Sequence, residues 1–312
     1  MNGKKKRLVV LGCSVLMAAT IAGCSAQGSK SEKNQSASDK ADSDSKSKGT
    51  VECVSEIEDR DFEQDEEVTI KKQVLVDQDG VVITAEEYIC NQEDGEGILL
   101  SVANNTDKSI DVSPGTVFVN DYLIDSRFTE DVAAGETEYI KMIMDEYDLE
   151  QASIEAIGQI ESNFVIYDTE TCDEKLESDS IKIKTSAYAE MDNEPMSDGV
   201  ELYNEHGVRI VGMSVNEEGT FGTDLVLCME NSTKKDMILH VREVSVNGIE
   251  SDGVFVGYAP AGKKSLNTYC FSTTDMETNG IDKIEEIEMK FSIEDKEATE
   301  RIESEIIKFN VE

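Results

Sequence analysis

Tryptophan is absent from the 312 residues of this chain, and it has only two histidines and three prolines. Sugar-binding platforms usually rest on exposed tryptophan or tyrosine rings, and only nine tyrosines are present. Basic residues are also scarce, because 29 Lys and Arg stand against 67 Asp and Glu, for a net charge of −38. Such a surface repels nucleic-acid phosphates and anionic lipid headgroups, so we expect no nucleic-acid partner.

The residues that catalysis usually requires do not form a recognisable pattern. His206 lies in a polar turn, and neither it nor His240 has a His or Cys neighbour at metal-ligand spacing. There is no Gly-x-Ser-x-Gly nucleophile motif and no glycine-rich phosphate loop, and nothing marks two of the 67 acids as a catalytic pair. The sequence therefore predicts that the protein is not an enzyme and has no metal site and no cofactor.

Seven cysteines are present, and none forms a Cys-x-x-Cys motif, so a zinc knuckle or a redox motif is not indicated. Cys13 and Cys24 lie near the N-terminus. The five cysteines that remain, Cys53 among them, are an odd number. Export would permit disulfides, and two pairings within a sequence copy remain open. These are Cys90 with Cys172, and Cys228 with Cys270.

The only long apolar run is at the N-terminus, where Lys4, Lys5, Lys6 and Arg7 precede Leu8 to Ala22. About 15 apolar residues fall short of the roughly 20 that span a bilayer, so the pattern is that of a secretion signal. Ile21-Ala22-Gly23-Cys24 resembles the lipobox of bacterial lipoproteins. The resemblance implies cleavage after residue 23, a lipidated Cys24, and a lipid-anchored position on the extracytoplasmic face of the cell membrane. An ordinary cleaved signal or an uncleaved anchor is the alternative.

Removal of residues 1–23 takes away four positive charges and no negative one, which leaves the mature chain near −42. Residues 25–50 are rich in Ser, Lys, Asp and Gly, and an acidic run continues to Glu67. Such segments bury too little apolar surface to offset their ordering entropy. We therefore predict a disordered tether over residues 24–67. The acids of the run lack the spacing and the central glycine of a calcium-binding EF-hand loop.

The rest of the chain contains an internal duplication. A shift of 127 residues aligns Gly80 with Gly207 and Asp168 with Asp295 without a gap. About twenty identities over roughly ninety positions indicate two copies of one domain. The polar residues that both copies retain are Asn104/Asn231, Lys108/Lys235, Asn120/Asn247 and Asp168/Asp295, whereas positions predicted to be exposed diverge, as in Ser101/Cys228 and Glu136/Lys263.

Strict alternation of apolar and polar residues from Ile287 to Ile293 predicts a strand with one buried face. Asn120-Asp121 and Asn247-Gly248 predict two-residue hairpin turns. One short helix per copy is expected, over Tyr147 to Ile157 and Thr274 to Ile284, capped by Asp145 and Ser272. Short strands at regular turn spacings favour an all-β fold of two tandem β-sandwiches. The predicted domains are 68–187 and 200–312, with a linker over 188–199.

Within the second copy, a strand ending in Leu-x-x-x-Asn-x-Thr is followed by Val-x-Val-Asn-Gly, Ala-Gly-Lys and a spaced isoleucine pattern. This arrangement resembles immunoglobulin-like repeats of unknown function in lipoproteins of Clostridia-type bacteria. The first copy departs from it, with Asp121 for the hairpin glycine and Glu136 for the lysine. The resemblance implies immunoglobulin-like sandwiches exposed outside the cell and supplies no catalytic residue.

The expected function is therefore non-catalytic binding or scaffolding toward an envelope or extracellular partner, with the strand edges and loops of the second domain as the first candidate surface. An acidic lipoprotein that binds calcium or a cationic peptide is the alternative. A third hypothesis is a solute-binding receptor of a transporter. The strand-rich duplication disfavours it, because such receptors need two α/β lobes.

Overall fold

The computed structural model describes residues 47–54, 68–91, 94–192, 194–219 and 222–312. The fold is all-β, and the two sequence copies form two immunoglobulin-like β-sandwiches. The elements up to the end of the first copy are β1 (Thr50–Val54), β2 (Gln73–Gln78), β3 (Val81–Asn91), β4 (Gly95–Asn104), β5 (Ile110–Val119), β6 (Tyr122–Leu123), β7 (Glu130–Val132), β8 (Thr137–Ile143), α1 (Glu146–Gln151), β9 (Gln159–Asp168), β10 (Glu174–Glu177) and β11 (Ile181–Lys184).

The second copy repeats this order, with one extra short strand. Its elements are β12 (Val200–Glu205), β13 (Val208–Gly219), β14 (Gly222–Asn231), β15 (Met237–Val246), β16 (Ile249–Glu250), β17 (Gly253–Val254), β18 (Gly257–Ala259), β19 (Lys264–Ser272), α2 (Thr273–Asn279), β20 (Glu286–Asp295), β21 (Arg301–Glu303) and β22 (Ile307–Val311). A short 3-10 turn, Ser186–Ala189, ends the first copy.

Strand registers obey the same shift of 127 residues as the sequence. Ile83 opposes Val102 across β3 and β4, and Ile210 opposes Met229 across β13 and β14. The opposite sheets also match, since β5 pairs with β9 as β15 pairs with β20. Because a one-residue slip would turn every side chain to the other face, shared registers mean that both copies bury the same positions. The duplication therefore reaches the level of backbone pairing.

Each sandwich packs two sheets on its own apolar core. In the first copy, β2, β3, β4 and β8 form one sheet, and β5, β9 and the short strands form the other. The first core includes Ile83, Leu100 and Phe164, and the second includes Ile210, Leu227 and Phe291. Both sandwiches belong to one compact unit of the chain.

The prediction of a tether over residues 24–67 is wrong at β1, which is an ordered strand. It runs parallel to β13 and to β22, with Glu52 opposite Ser214 and Val51 opposite Val311. Val51 is fully buried in the core of the second sandwich. The second sandwich is thus completed by a strand that precedes the first sandwich in the sequence. Val51 and Cys53 alternate with polar residues, as in a strand with one buried face. Hydrogen bonding to β13 and β22 then stabilises β1.

Hairpins and helix caps follow the sequence closely, while helix lengths do not. Asn120 and Asp121 have φ values of 48° and 67°, and Asn247 and Gly248 have 51° and 78°, as the primed hairpin turn requires. Asp145 and Ser272 accept hydrogen bonds as N-caps. The helices end at Gln151 and Asn279, earlier than predicted. Gly280, with φ at 66°, ends the second by adopting the left-handed conformation.

Candidate functional site

Asn104 and Asn231, retained in both copies, hold the turn that follows β4 and β14. The Asn104 Nδ2 group donates to the carbonyl oxygens of Lys108 and Val132 at 2.8 and 2.9 Å. Asn231 donates to Lys235 and Ala259 at the same distances. Both side chains are buried, so their hydrogen bonds satisfy backbone groups that would otherwise lack partners. Their role is structural, as the turn prediction implied.

Lys108 with Asp168, and Lys235 with Asp295, form a second retained pair in each sandwich. The Lys–Asp distances are 3.0 Å and 2.7 Å. The hydrogen bond from the lysine holds the pKa of Asp168 and of Asp295 well below the ordinary value of an aspartate. Each aspartate also accepts backbone N–H groups from the turn after its strand. These carboxylates are therefore occupied in fastening a turn.

A backbone pairing joins the two sandwiches at the first hairpin. β6 of the first sandwich runs parallel to the start of β19 in the second, with Tyr122 opposite Lys264. The Lys264 backbone N–H donates to the Asp121 carbonyl oxygen at 2.9 Å. The Lys264 ammonium lies 4.8 Å from the centroid of the Tyr122 ring and donates to the Glu194 carbonyl oxygen at 2.6 Å. The hairpin of one copy thus receives the turn and strand start of the other.

Lys263 is the central polar residue of this contact. Its ammonium donates to Asp121 Oδ1 and Glu161 Oε2, each at 2.5 Å, and lies 4.6 Å from the centroid of the Phe118 ring. Burial lowers the pKa of Lys263, but the two hydrogen bonds outweigh burial and raise the pKa above its ordinary value. Burial conversely raises the pKa of Glu161, but the hydrogen bonds from Lys263, Ser180 and Lys182 together outweigh burial, so the pKa of Glu161 lies below its ordinary value. Both groups are therefore charged at neutral pH.

Apolar residues of the second sandwich complete the contact. Val211 and Cys228 are buried in the core cluster of the first sandwich, and Met213 and Leu266 pack against that cluster while partly buried. Met196, in the segment predicted as a linker, is buried there too, and its backbone N–H donates to Glu230 Oε1 at 2.7 Å. Cys228 and Lys263 therefore lie in a buried interface. The expectation that their positions diverge as exposed sites is wrong in the second copy.

A cleft of about 450 Å³ lies beside this interface. Its lining comes from Asn120 and Tyr122 of the first hairpin, the 152–156 turn, residues 190, 192 and 194–198, and Lys264. Several of its side chains are acidic, among them Glu155, Glu190 and Asp192. In the described ranges, no group of three or more His, Cys, Asp or Glu is arranged to hold a metal ion.

Neither proposed disulfide is present, because the five described cysteines are thiols. Cys228 opposes Leu266, and Cys270 opposes Asp224, so four residues of strand, roughly 13 Å, separate the two along the ladder. Disulfide Cα atoms lie within about 7 Å of each other. Cys90 lies in β3, opposite Glu96, whereas Cys172 lies in the turn after β9 in the other sheet of the sandwich. Burial raises the pKa of Cys228 to about 12.

The two histidines lie apart. His206 is exposed in the turn between β12 and β13, and His240 Nε2 lies 3.1 Å from Glu294 Oε1 across a strand pair. Cys24 and the leader lie outside the described residues, as does most of the predicted tether. Among the helices of the described segments, none is long and apolar enough to cross a membrane.

No family model and no curated protein matches this chain. A protein of unknown function from Porphyromonas gingivalis W83 is similar at 12% identity and a TM-score of 0.20, over 79% of this chain and 98% of that one. The Salmonella enterica SafA pilin in complex with the SafB chaperone is similar at 16% identity and a TM-score of 0.18, over 69% and 88%.

The interface carries the residues that the sequence left unexplained. Asp121 and Lys263 occupy positions where the two copies differ, and the structure brings these two residues together. Glu161 had no distinguishing mark among the acids. The sequence did carry one signal at two aligned positions. Asp121 is acidic where its counterpart is Gly248, and Lys263 is basic where its counterpart is Glu136. What the arrangement can do chemically is hold two sandwiches in one fixed orientation.

Proposed function

We propose that this chain is a bacterial lipoprotein whose two immunoglobulin-like sandwiches bind an envelope or extracellular protein without catalysing a reaction. Acyl groups on Cys24 hold it on the extracytoplasmic face of the cell membrane. The observation that carries the proposal is the leader, in which four cations, a short apolar run and Ala22-Gly23 precede Cys24. Two or three acyl chains suffice for firm anchoring, because each buried methylene contributes about 0.8 kcal/mol.

A binding role is supported by how the chain uses its polar residues. Asn104, Asp168 and their counterparts in the second copy all fasten turns, and Lys263 joins the sandwiches. An anchored, rigidly paired set of sandwiches presents strand edges and loops at a fixed geometry, which favours recognition of a macromolecule. The strong negative charge keeps the part of the protein that follows the acylated Cys24 soluble, and it favours partners with basic surfaces.

Mass spectrometry of the protein from its membrane tests the anchor. We expect the wild type and the matched control Ser25→Ala to carry acyl mass on the residue after the cleavage site and to stay in the membrane fraction. Cys24→Ala should lose the acyl mass and leave the membrane. Unchanged membrane retention of Cys24→Ala would refute the anchor, and cleavage without acylation in the wild type would identify an ordinary signal.

Crosslinking on whole cells tests the binding role separately. The protein is recovered after crosslinking beside an unrelated lipoprotein that carries the same leader. Enrichment of a defined envelope or extracellular protein over that control is the expected result. Absence of any enriched protein in repeated experiments would contradict a binding role while leaving the anchor untouched.

A further inference from the structure

We infer that the second sandwich docks a further immunoglobulin-like repeat, carried by another protein, on the face made by Ser245, Asn247, Gly248, Ile249 and Glu288. We call this surface the distal hairpin face. The inference rests on the proposed binding function and deepens it, because it names the surface and the chemistry of the partner. The partner repeat presents a turn with a lysine at the position that Lys263 holds here.

The first sandwich uses the equivalent face for the same purpose. The shift of 127 residues places Phe118, Asn120, Asp121, Tyr122 and Glu161 at the corresponding positions. That face receives the turn and strand start of the second sandwich, through the β6–β19 pairing and Lys263. The fold therefore already contains one example of this docking geometry. Its second example of the face has no sandwich on it in the described part of the chain.

Exposure of equivalent residues shows the difference. Tyr122 is 5% exposed because the second sandwich covers it, whereas its counterpart Ile249 is 39% exposed. Asn120 is buried and Asn247 is exposed, although each makes the same hydrogen bonds to the following turn. An exposed isoleucine beside a preformed hairpin is an apolar contact point that a docked repeat would cover.

Charge on the distal hairpin face suits a basic turn. Glu288 stands at the position where Glu161 binds Lys263. Among the described residues, the Glu288 carboxylate contacts Lys308 and Ser245. Glu161 likewise contacts Lys182 in addition to Lys263. Gly248 replaces Asp121, so a docked lysine would meet one carboxylate instead of two. Exposed Glu250 and Glu285 add negative charge beside it.

A second copy of this chain does not fit as the occupant. Its first sandwich would present Glu136 at the position of Lys263, facing Glu288, and like charges at an interface repel. The rest of that face is also changed, with Glu86 for Met213 and Ser101 for Cys228. Tyr139, the counterpart of Leu266, is 66% exposed. If copies of this chain docked head to tail in this way without closing a ring, they would build filaments. Repulsion between Glu136 of one copy and Glu288 of the next opposes that assembly.

The test uses a donor variant that imitates the partner. The substitutions Glu86→Met, Ser101→Ala, Glu136→Lys and Tyr139→Leu make the first sandwich resemble the docking surface of the second, with alanine in place of the Cys228 thiol. Ile249→Lys blocks the donor's own distal hairpin face. The receiver is the wild-type chain from Ser25 onward, which retains every described residue. Sedimentation velocity on mixtures should show a one-to-one complex. Ile249→Lys or Glu288→Lys in the receiver should weaken it at least tenfold.

A folded donor that forms no complex with the receiver up to millimolar concentration would overturn the inference. So would a complex that is indifferent to Ile249→Lys in the receiver. If circular dichroism shows that the donor with five substitutions is unfolded, the double variant Glu136→Lys with Ile249→Lys serves as the donor under the same criteria. Self-association of the wild type that Ile249→Lys abolishes would make a second copy the occupant and overturn the choice of partner. Because Cys24 is absent from these chains, failure here leaves the anchor and whole-cell crosslinking tests unaffected.

Discussion

Lys263 of the second sandwich places its ammonium 2.5 Å from Glu161 Oε2 of the first, with both side chains largely buried. The pair connects two sequence copies that share their fold but not the charges at these surfaces. Glu136 occupies the position of Lys263 in the first copy, and Gly248 occupies that of Asp121 in the second. The first copy therefore presents no lysine at the docking position, so the second copy is the one that docks in this contact.

Replacement of Lys263 should loosen the contact between the sandwiches. Lys263→Ala leaves Glu161 and Asp121 without their shared cation, and hydrogen bonds to charged groups contribute about 1.5–3 kcal/mol each in proteins. We expect a loss of about 2 kcal/mol in the free energy of unfolding by urea and faster amide exchange at Tyr122 and Leu123. The matched control is Glu136→Ala, an exposed position, which should change stability by less than about 0.5 kcal/mol. Equal effects of the two variants would contradict the account.

The early strand should be essential to the second sandwich. Val51→Asp removes a buried valine, worth about 1.5–3 kcal/mol, and places a carboxylate in the core, so we expect a loss above about 3 kcal/mol. Glu52→Gln, on the exposed side of the same strand, is the control and should unfold as the wild type does. Near-UV circular dichroism during denaturation gives the readout. Wild-type stability of Val51→Asp would show that β1 does not complete the core.

Acid should destabilise both sandwiches through Asp168 and Asp295. Lysine hydrogen bonds lower the pKa of each in the folded chain, so these carboxylates stabilise the fold above their unfolded pKa, about 4. That contribution disappears as the pH falls toward the lowered folded pKa. We expect the wild type to lose stability below about pH 4, and Asp168→Asn with Asp295→Asn to be less stable at pH 7 with a flatter pH profile. Urea titrations at several pH values measure it, with Asp107→Asn as the exposed control. Parallel profiles for all three chains would refute it.

Thiol reactivity should report on the interface. Cys228 is fully buried and its pKa is raised to about 12, so it should resist alkylation in the folded protein. Cys172 is exposed and should react first. Lys263→Ala should speed alkylation of Cys228 by loosening the contact that covers it. Mass spectrometry of peptides after timed alkylation measures both. Rapid alkylation of Cys228 in the wild type would contradict a buried interface.

Local and repeated patterns predicted much of the fold. The hairpins at Asn120 and Asn247 follow from residues that tolerate positive φ, and the duplication carries one assignment onto the other copy. The sequence did not predict β1, because a five-residue alternation within an acidic run is too short to show which distant strands it joins. Nor did it predict the interface, since Lys263 is polar and its burial depends on Glu161, about a hundred residues away in sequence.

Site-specific photocrosslinking on whole cells tests the central claim, that an anchored second sandwich holds a partner, most directly. A photoreactive residue is placed at position 249 of the full lipoprotein, and the matched control carries it at position 139, on the first sandwich. The account predicts a discrete adduct with an envelope or extracellular protein from position 249, lost in the Glu288→Lys background, and none from position 139. Equal adducts from the two positions, or none from position 249, would contradict it.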